Sequence, residues 1–218
     1  MPTLLHVSTS PRGEKSISRQ VGGLLVENIR HICKAEIIER DLAVSPPPYP
    51  DQAFVNASLK SPQEQDEKDR EHLVFSECLI AELASSSILV IDTPMYNFTV
   101  PAVLKTWIDY VVRPGRTFQS SPDGKIGLLN DRPAFLVVAS GGPLSKSTSN
   151  QPDFLVPYVR QLLNTIGIKD FRFICLDGLR RADSACEEAQ YAAREWIAQQ
   201  SYSFSKSLIR SAEQDERQ

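Results

Sequence analysis

A chain of 218 residues is long enough to bury a full core as one domain. Its 24 basic and 27 acidic side chains leave a formal charge of −3 with no basic run, which argues against a nucleic-acid partner. No apolar stretch approaches membrane-spanning length, and the opening MPTLLHVSTSPRG lacks both the basic start and the long apolar centre of a signal peptide, so a cytoplasmic chain without membrane association is expected.

Leu4–Val7 reads as a short first strand. STSPRGEKSIS, residues 8–18, follows as a turn-forming segment rich in hydroxyls. Val21, Leu24, Leu25, Ile29 and Ile32 recur at helical spacing and predict a helix ending near Cys33. A second strand is expected from Ala35 to Asp41. Over residues 42–62, Pro46, Pro47, Pro48 and Pro50 argue against helix and central strand. That segment reads either as a wall beside a ligand or as a plain surface crossover. Ser61-Pro62 predicts a helix start, running to about Ala84, with a charged beginning and a later stripe of Leu73, Val74, Phe75, Cys78, Leu79 and Leu83.

Ile88–Ile91 is an unbroken apolar run suited to a central parallel strand covered on both faces. Pro94, Met95, Tyr96, Asn97 and Phe98 then break the pattern. Pro101 is expected at the first position of a helix whose one face carries Leu104, Trp107, Ile108 and Val111. Ser121-Pro122-Asp123-Gly124 predicts a small hairpin or excursion. Pro133–Ala139 is a fourth buried strand, followed by Ser140-Gly141-Gly142-Pro143 and the polar run LSKSTSNQ, expected to be mobile. Phe154, Leu155, Tyr158, Val159, Leu162 and Ile166 mark a helix that Gly167 stops. Phe171–Leu176 is a fifth strand whose alternation marks an edge. A last helix runs from Ser184 to about Gln200, with Ala185, Ala189, Ala192, Trp196 and Ile197 on one face. Residues 201–218 form a polar tail expected to fray. One domain over 1–200 is implied, with no repeat and no second core.

Strands alternating with helices imply an α/β fold: a flavodoxin-like, doubly wound, five-stranded parallel sheet of order 2-1-3-4-5 with helices on both faces. The loops after the first, third and fourth strands then meet at the switch point of the sheet, where such folds bind ligands. In the first loop, the hydroxyls of Ser8, Thr9, Ser10, Ser16 and Ser18, with the free N–H groups of the following helix, suit one phosphate; Arg12 and Lys15 either add charge there or are simply exposed, and Ser16 or Ser18 could equally act only as a cap. Neither a G-x-G-x-x-G fingerprint nor a P-loop is present, which points to a mononucleotide. In the second loop, Tyr96 and Phe98 offer flat surface and Asn97 an amide, or else a tight turn filled by aromatics. In the third, Gly141 and Gly142 allow close backbone approach, or else simply loosen a strand end.

These loops carry no cluster of His, Cys, Asp or Glu, so neither a nucleophile–base pair nor a metal set is expected. His6, His31 and His72 read as structural or exposed. Cys33, Cys78, Cys175 and Cys186 form no Cys-x-x-Cys pair and read as reduced thiols, mostly core filler. A site with binding groups but no reactive side chain fits an organic cofactor that carries the chemistry itself.

Residues 3–200 resemble the FMN-dependent NADH:quinone oxidoreductase and azoreductase family of flavodoxin-like proteins. The resemblance rests on Ser10 with Ser16-Ile17-Ser18, on Pro94-Met95-Tyr96-Asn97-Phe98, on Pro101-Ala102-Val103-Leu104-Lys105 leading to Asp109 and Gly115-x-Thr117-Phe118, and on Ser140-Gly141-Gly142. It implies that Ser10, Ser16, Ile17 and Ser18 hold the phosphate of a tightly bound FMN, one per subunit. Met95, Tyr96, Asn97 and Phe98 would border the ring, and Ser140, Gly141 and Gly142 its pyrimidine side. It further implies NADH or NADPH as donor, quinones or azo compounds as acceptors, two-electron ping-pong transfer, and a homodimer whose interface uses the helix after Pro101. An electron carrier or a non-enzymatic flavin-binding module is the alternative.

Overall fold

The computed structural model of the chain describes residues 1–144, 151–181 and 184–215. Five strands form one parallel sheet: β1 (Thr3–Ser8), β2 (Glu36–Asp41), β3 (Ile88–Pro94), β6 (Ala134–Ala139) and β7 (Phe171–Leu176), in the order β2-β1-β3-β6-β7. This is the 2-1-3-4-5 order, with the antiparallel hairpin β4 (Phe118–Ser121) and β5 (Gly124–Gly127) inserted as a separate excursion. The helices around the sheet are α1 (Ile17–Cys33), α2 (Gln52–Leu59), α3 (Glu67–Ser85), α4 (Ala102–Val111), α5 (Leu155–Ile166) and α6 (Ala185–Asp215).

The pleat of a strand sends successive side chains to opposite faces. Leu5, Leu89, Ile91, Leu136 and Val138 enter one buried cluster with residues of α2, α3, α4 and α5. Leu4, Ile88, Val90, Phe135 and Val137 enter the other, with residues of α1 and α6. β3 and β6 are buried along almost their whole length because they lie mid-sheet. β7 closes an edge, and the Arg160 guanidinium lies over the rings of Phe171 and Phe173 at 4.7 and 5.5 Å.

Several local expectations are corrected. Residues 42–62 are not wholly irregular. Asp51 accepts the Phe54 N–H at 2.8 Å and starts α2, and the Phe54 ring packs 4.4 Å from that of Tyr110. The prolines all precede this helix, so none obstructs it. α3 begins after Asp66, not at Ser61. Asp66 and Asp69 form a reciprocal capping box there, whereas Ser61 Oγ donates to Glu64 within its own turn. Pro101 is the cap of α4 instead of its first residue. Ala193, not Ala192, lies on the buried face of α6. The last helix runs on to Asp215 instead of ending near Gln200, and Phe204 is buried in the α1–α6 cluster. The cysteines are free, but none is fully buried, and Cys78 is exposed. The polar run after Leu144 falls, over residues 145–150, outside the described residues.

Candidate functional site

The carboxyl ends of β1, β3 and β6 open into a cavity of about 1090 Å³, just above the ~300–1,000 Å³ common for ligand sites. Its walls include Ser10, Ser16, Ile17, Met95, Tyr96, Asn97, Phe98, Ser140, Gly141 and Gly142. Of the expected hydroxyl donors, Ser8 and Thr9 do not reach the cavity, being buried and bonded to Asp92 and Thr93; of the other expected site residues the structure brings together all but Ser18. That residue is fully buried behind the wall, where its hydroxyl shares a 3.0 Å hydrogen bond with Ser16 Oγ.

The first end of the cavity is built by the β1–α1 connection. Ser16 caps α1, accepting the Arg19 N–H at 3.5 Å, so Ile17 and Ser18 stand in the first turn with N–H groups that no helical carbonyl can reach. Those groups and the helix dipole favour an anion there. Arg12 and Lys15 line the same end from a short 3-10 turn, Gly13–Lys15. The loop is held in shape by a residue that the sequence reading passed over. Arg19 Nε donates to the Ser10 carbonyl at 2.7 Å, and its two terminal nitrogens grip Asp41 at 2.7 and 2.6 Å. Asp41 Oδ1 in turn accepts the N–H groups of Ala43 and Val44. The Arg19 guanidinium holds the Asp41 carboxyl below the usual carboxylate range. An Arg in the first turn of a helix with an Asp ending the adjacent strand was the available signal.

Under this loop lies a buried polar cluster. His6 Nε2 meets Asp92 Oδ2 at 2.7 Å, and His6 Nδ1 faces Glu39 at 2.9 Å. Ser8 Oγ donates to Asp92 Oδ2 at 2.6 Å, and Thr9 Oγ1 donates to Thr93 Oγ1 at 2.9 Å. Burial pulls the His6 pKa down, but the hydrogen bonds and charges of Asp92 and Glu39 outweigh it and lift it to about 9. The cluster links β2, β1 and β3 and does not line the cavity.

The second end is the β3–α4 loop. Tyr96 and Thr99 exchange backbone hydrogen bonds at 3.0 and 3.1 Å, with Asn97 at φ 47° and Phe98 at φ 73° between them. This pair of left-handed residues makes a hairpin-type tight turn. For a bulky residue such as Phe98 a positive φ stores strain, which tends to occur where geometry serves a site. Its effect is to leave the Tyr96 and Phe98 side chains out of the core, 42% and 46% exposed. The aromatics therefore do not fill the core. Met95 is tied to the neighbouring strand through its N–H to Ala139 O at 2.8 Å.

The third wall is the β6 end. Ser140 Oγ donates to Gly142 O at 2.9 Å, and Gln151 Nε2 reaches Ser140 Oγ at 3.4 Å and Met95 Sδ at 3.8 Å. A Cβ on Gly142 would stand 2.3 Å from Gln151 Oε1, so the Gln151 amide packs into the space that glycine leaves open. Gln151, Leu179, Arg180 and Cys186 complete the wall, and none was anticipated, because the β6–α5 and β7–α6 connections bring them in from distant sequence. No His, Asp or Glu lines the cavity among the described residues. Among the described residues no group of three or more His, Cys, Asp or Glu could hold a metal, and no helix is long and apolar enough to cross a membrane.

Sheet order and cavity together define a flavodoxin-like α/β protein with an open cleft at the switch point of the sheet. Residues 2–200 match the sequence profile of the family described as having a flavodoxin-like fold. FMN-dependent NADH:quinone oxidoreductase 4 of Pseudomonas fluorescens is 44% identical over 201 residues, 92% of this chain and 96% of that protein. FMN-dependent NADH:quinone oxidoreductase 2 of Cupriavidus pinatubonensis is 42% identical over 184 residues, 84% of this chain and 89% of that protein. The crystal structure of an azoreductase from Bacillus anthracis superposes with a TM-score of 0.83 at 25% identity, covering 92% of this chain and 99% of that one. The chain belongs to the family that the FMN-dependent NADH:quinone oxidoreductases form within the flavodoxin-like fold.

Proposed function

We propose that this chain is an FMN-dependent NAD(P)H oxidoreductase that reduces quinones and azo compounds by two-electron ping-pong transfer. The observation that carries the reading is the two-ended cavity. One end offers hydroxyls, free N–H groups and cations; the other offers aromatic, amide and glycine surface; and no described His, Asp or Glu lines it. The names of the relatives support the same cofactor, donor and acceptors.

The donor set fits FMN. Ser10, Ser16 and the first-turn N–H groups of Ile17 and Ser18 would hold the phosphate, with Arg12 and Lys15 adding charge. Ser18 serves through its backbone and by fixing the Ser16 hydroxyl. Met95, Tyr96, Asn97 and Phe98 would border the ring, while Ser140, Gly141 and Gly142 approach its pyrimidine side. When bound, FMN supplies hydride acceptance and electron delivery, chemistry that the described wall residues cannot perform. The chain orients the ring, keeps its phosphate in a preformed cradle, and leaves an open aromatic mouth that tolerates different flat acceptors. Tight binding of one FMN per subunit, a doubly wound sheet, a homodimer and a cytoplasmic location belong to the same reading. Tyr96, Phe98 and Phe154 support the homodimer. They are exposed, and the Phe154 N–H donates to the Phe98 carbonyl, so a second copy covering them would close the mouth.

The test is to load purified protein with FMN, remove the excess, and record the spectrum and the steady-state oxidation of NADH with a quinone. A yellow protein that turns over is expected. A colourless protein refutes the reading, and a yellow one without turnover replaces it with an electron carrier.

A further inference from the structure

The cavity wall carries cations at both ends and no carboxylate among the described residues. Arg12 and Lys15 belong to the α1 end. Arg180 enters from the opposite side, on the turn after β7. That turn is sewn to the β6 loop by three backbone bonds: Gly178 N–H to Gly142 O at 3.1 Å, Leu179 N–H to Ser140 O at 3.2 Å and Arg180 N–H to Gly141 O at 3.2 Å. Its side chain lies across Gly141. A Cβ built on that glycine would stand 3.0 Å from Arg180 Cδ and 3.3 Å from Nε, so the missing side chain at 141 is the space Arg180 uses. Arg19, Arg40, Arg113, Arg116 and Arg172 are each paired with a carboxylate. No described carboxylate pairs with Arg180, so its charge faces the cavity uncompensated.

We propose that Arg180 contacts the ring end of bound FMN and favours the reduced cofactor over the oxidised one, an inference that rests on the FMN reading above. A hydride from the nicotinamide donor brings two electrons and one proton, so its arrival adds one negative charge at the ring unless a second proton follows. A guanidinium held over Gly141 stabilises that charge more than the neutral oxidised ring, whereas Arg12 and Lys15, at the phosphate end, act on both states alike. Gly141 matters here because a side chain at that position would crowd the Arg180 stem at its Cδ and Nε.

The experiment uses FMN-loaded wild type, Arg180→Gln, Arg180→Lys and Arg12→Gln, read by potentiometric titration and by the dissociation constant of the sulfite adduct. Arg180→Gln is expected to lower the ratio of reduced-to-oxidised affinity about tenfold, equivalent to about 30 mV for a two-electron couple. It is also expected to weaken the sulfite adduct by a similar factor, with Arg180→Lys recovering most of both. Arg12→Gln should weaken FMN binding without moving the potential. A potential in Arg180→Gln equal to wild type overturns the proposal, as does an equal shift from Arg12→Gln. A raised KM for an anionic azo dye at unchanged potential also overturns it, by making Arg180 a substrate contact. Failure of the wild type to retain FMN would instead refute the functional reading itself.

Discussion

Replacing His6 by Gln should change how stability responds to pH, because His6 carries a buried charge between two carboxylates. Its side chain is 9% exposed, with Asp92 at 2.7 Å and Glu39 at 2.9 Å, while Ser8 also bonds Asp92 and Arg19 adds a distant charge from α1. A pKa lifted from 6.5 to about 9 means that the folded state holds a proton which the unfolded chain releases. The resulting stabilisation is complete below the unfolded value of 6.5 and is lost as pH rises through about 9. The full gap corresponds to a ceiling of about 3 kcal/mol. Glu39 is 61% exposed and its share is screened, so about 1–2 kcal/mol is expected. Urea melts of wild type and His6→Gln, taken at intervals from about pH 6 to about pH 10, measure it. Wild type should lose that stability across the window while the variant stays level. Parallel curves would show that His6 is not held charged by Asp92 and Glu39, and the assignment would be wrong.

Four further outcomes follow from the same geometry. Gly22→Ala places a Cβ 2.7 Å from that of Asp92, pushing α1 off β3, and should lower stability by about 1–3 kcal/mol in denaturant melts. Gly167→Ala combines φ +106° with a Cβ 2.4 Å from Leu129 O and should lower Tm by several degrees; an unchanged Tm would deny that the hairpin docks tightly on the end of α5. Ser16→Ala with Ser18→Ala should weaken FMN binding by about 1–3 kcal/mol, followed by flavin fluorescence, and unchanged retention would remove the phosphate assignment. Phe98→Gly should relieve the positive φ, leaving Tm level or higher, yet reduce FMN affinity; unaltered affinity would separate this ring from the cofactor wall.

Much of the site was legible because loop chemistry and strand order are local signals. Apolar runs such as Ile88–Ile91 and Ala134–Val138 announced central strands, and the serine, aromatic and glycine segments follow β1, β3 and β6 directly. What stayed hidden was set by competition or distance. Ser61-Pro62 looked like a helix start, but the capping box at Asp66 and Asp69 satisfies two donors at once and prevails. The prolines of 46–50 masked α2, whose stability comes from Phe54 and Ala57 packing on the core. A polar composition after Gln200 concealed Phe204, which anchors the last helix.

The sequence by itself determined the α/β alternation, the strand order and which loops meet, since periodicity, turn residues and the handedness of crossovers leave few arrangements open. It also shows no cluster of His, Cys, Asp or Glu in those loops. Tertiary structure alone decided that Arg19 clamps Ser10 to Asp41, that His6 is held between Asp92 and Glu39, and that Arg180 and Cys186 reach the cavity wall. Each of these depends on groups on separate elements arriving at contact distance, where hydrogen bonding and Coulomb attraction become strong enough to fix a side chain. No local pattern in the chain encodes that proximity.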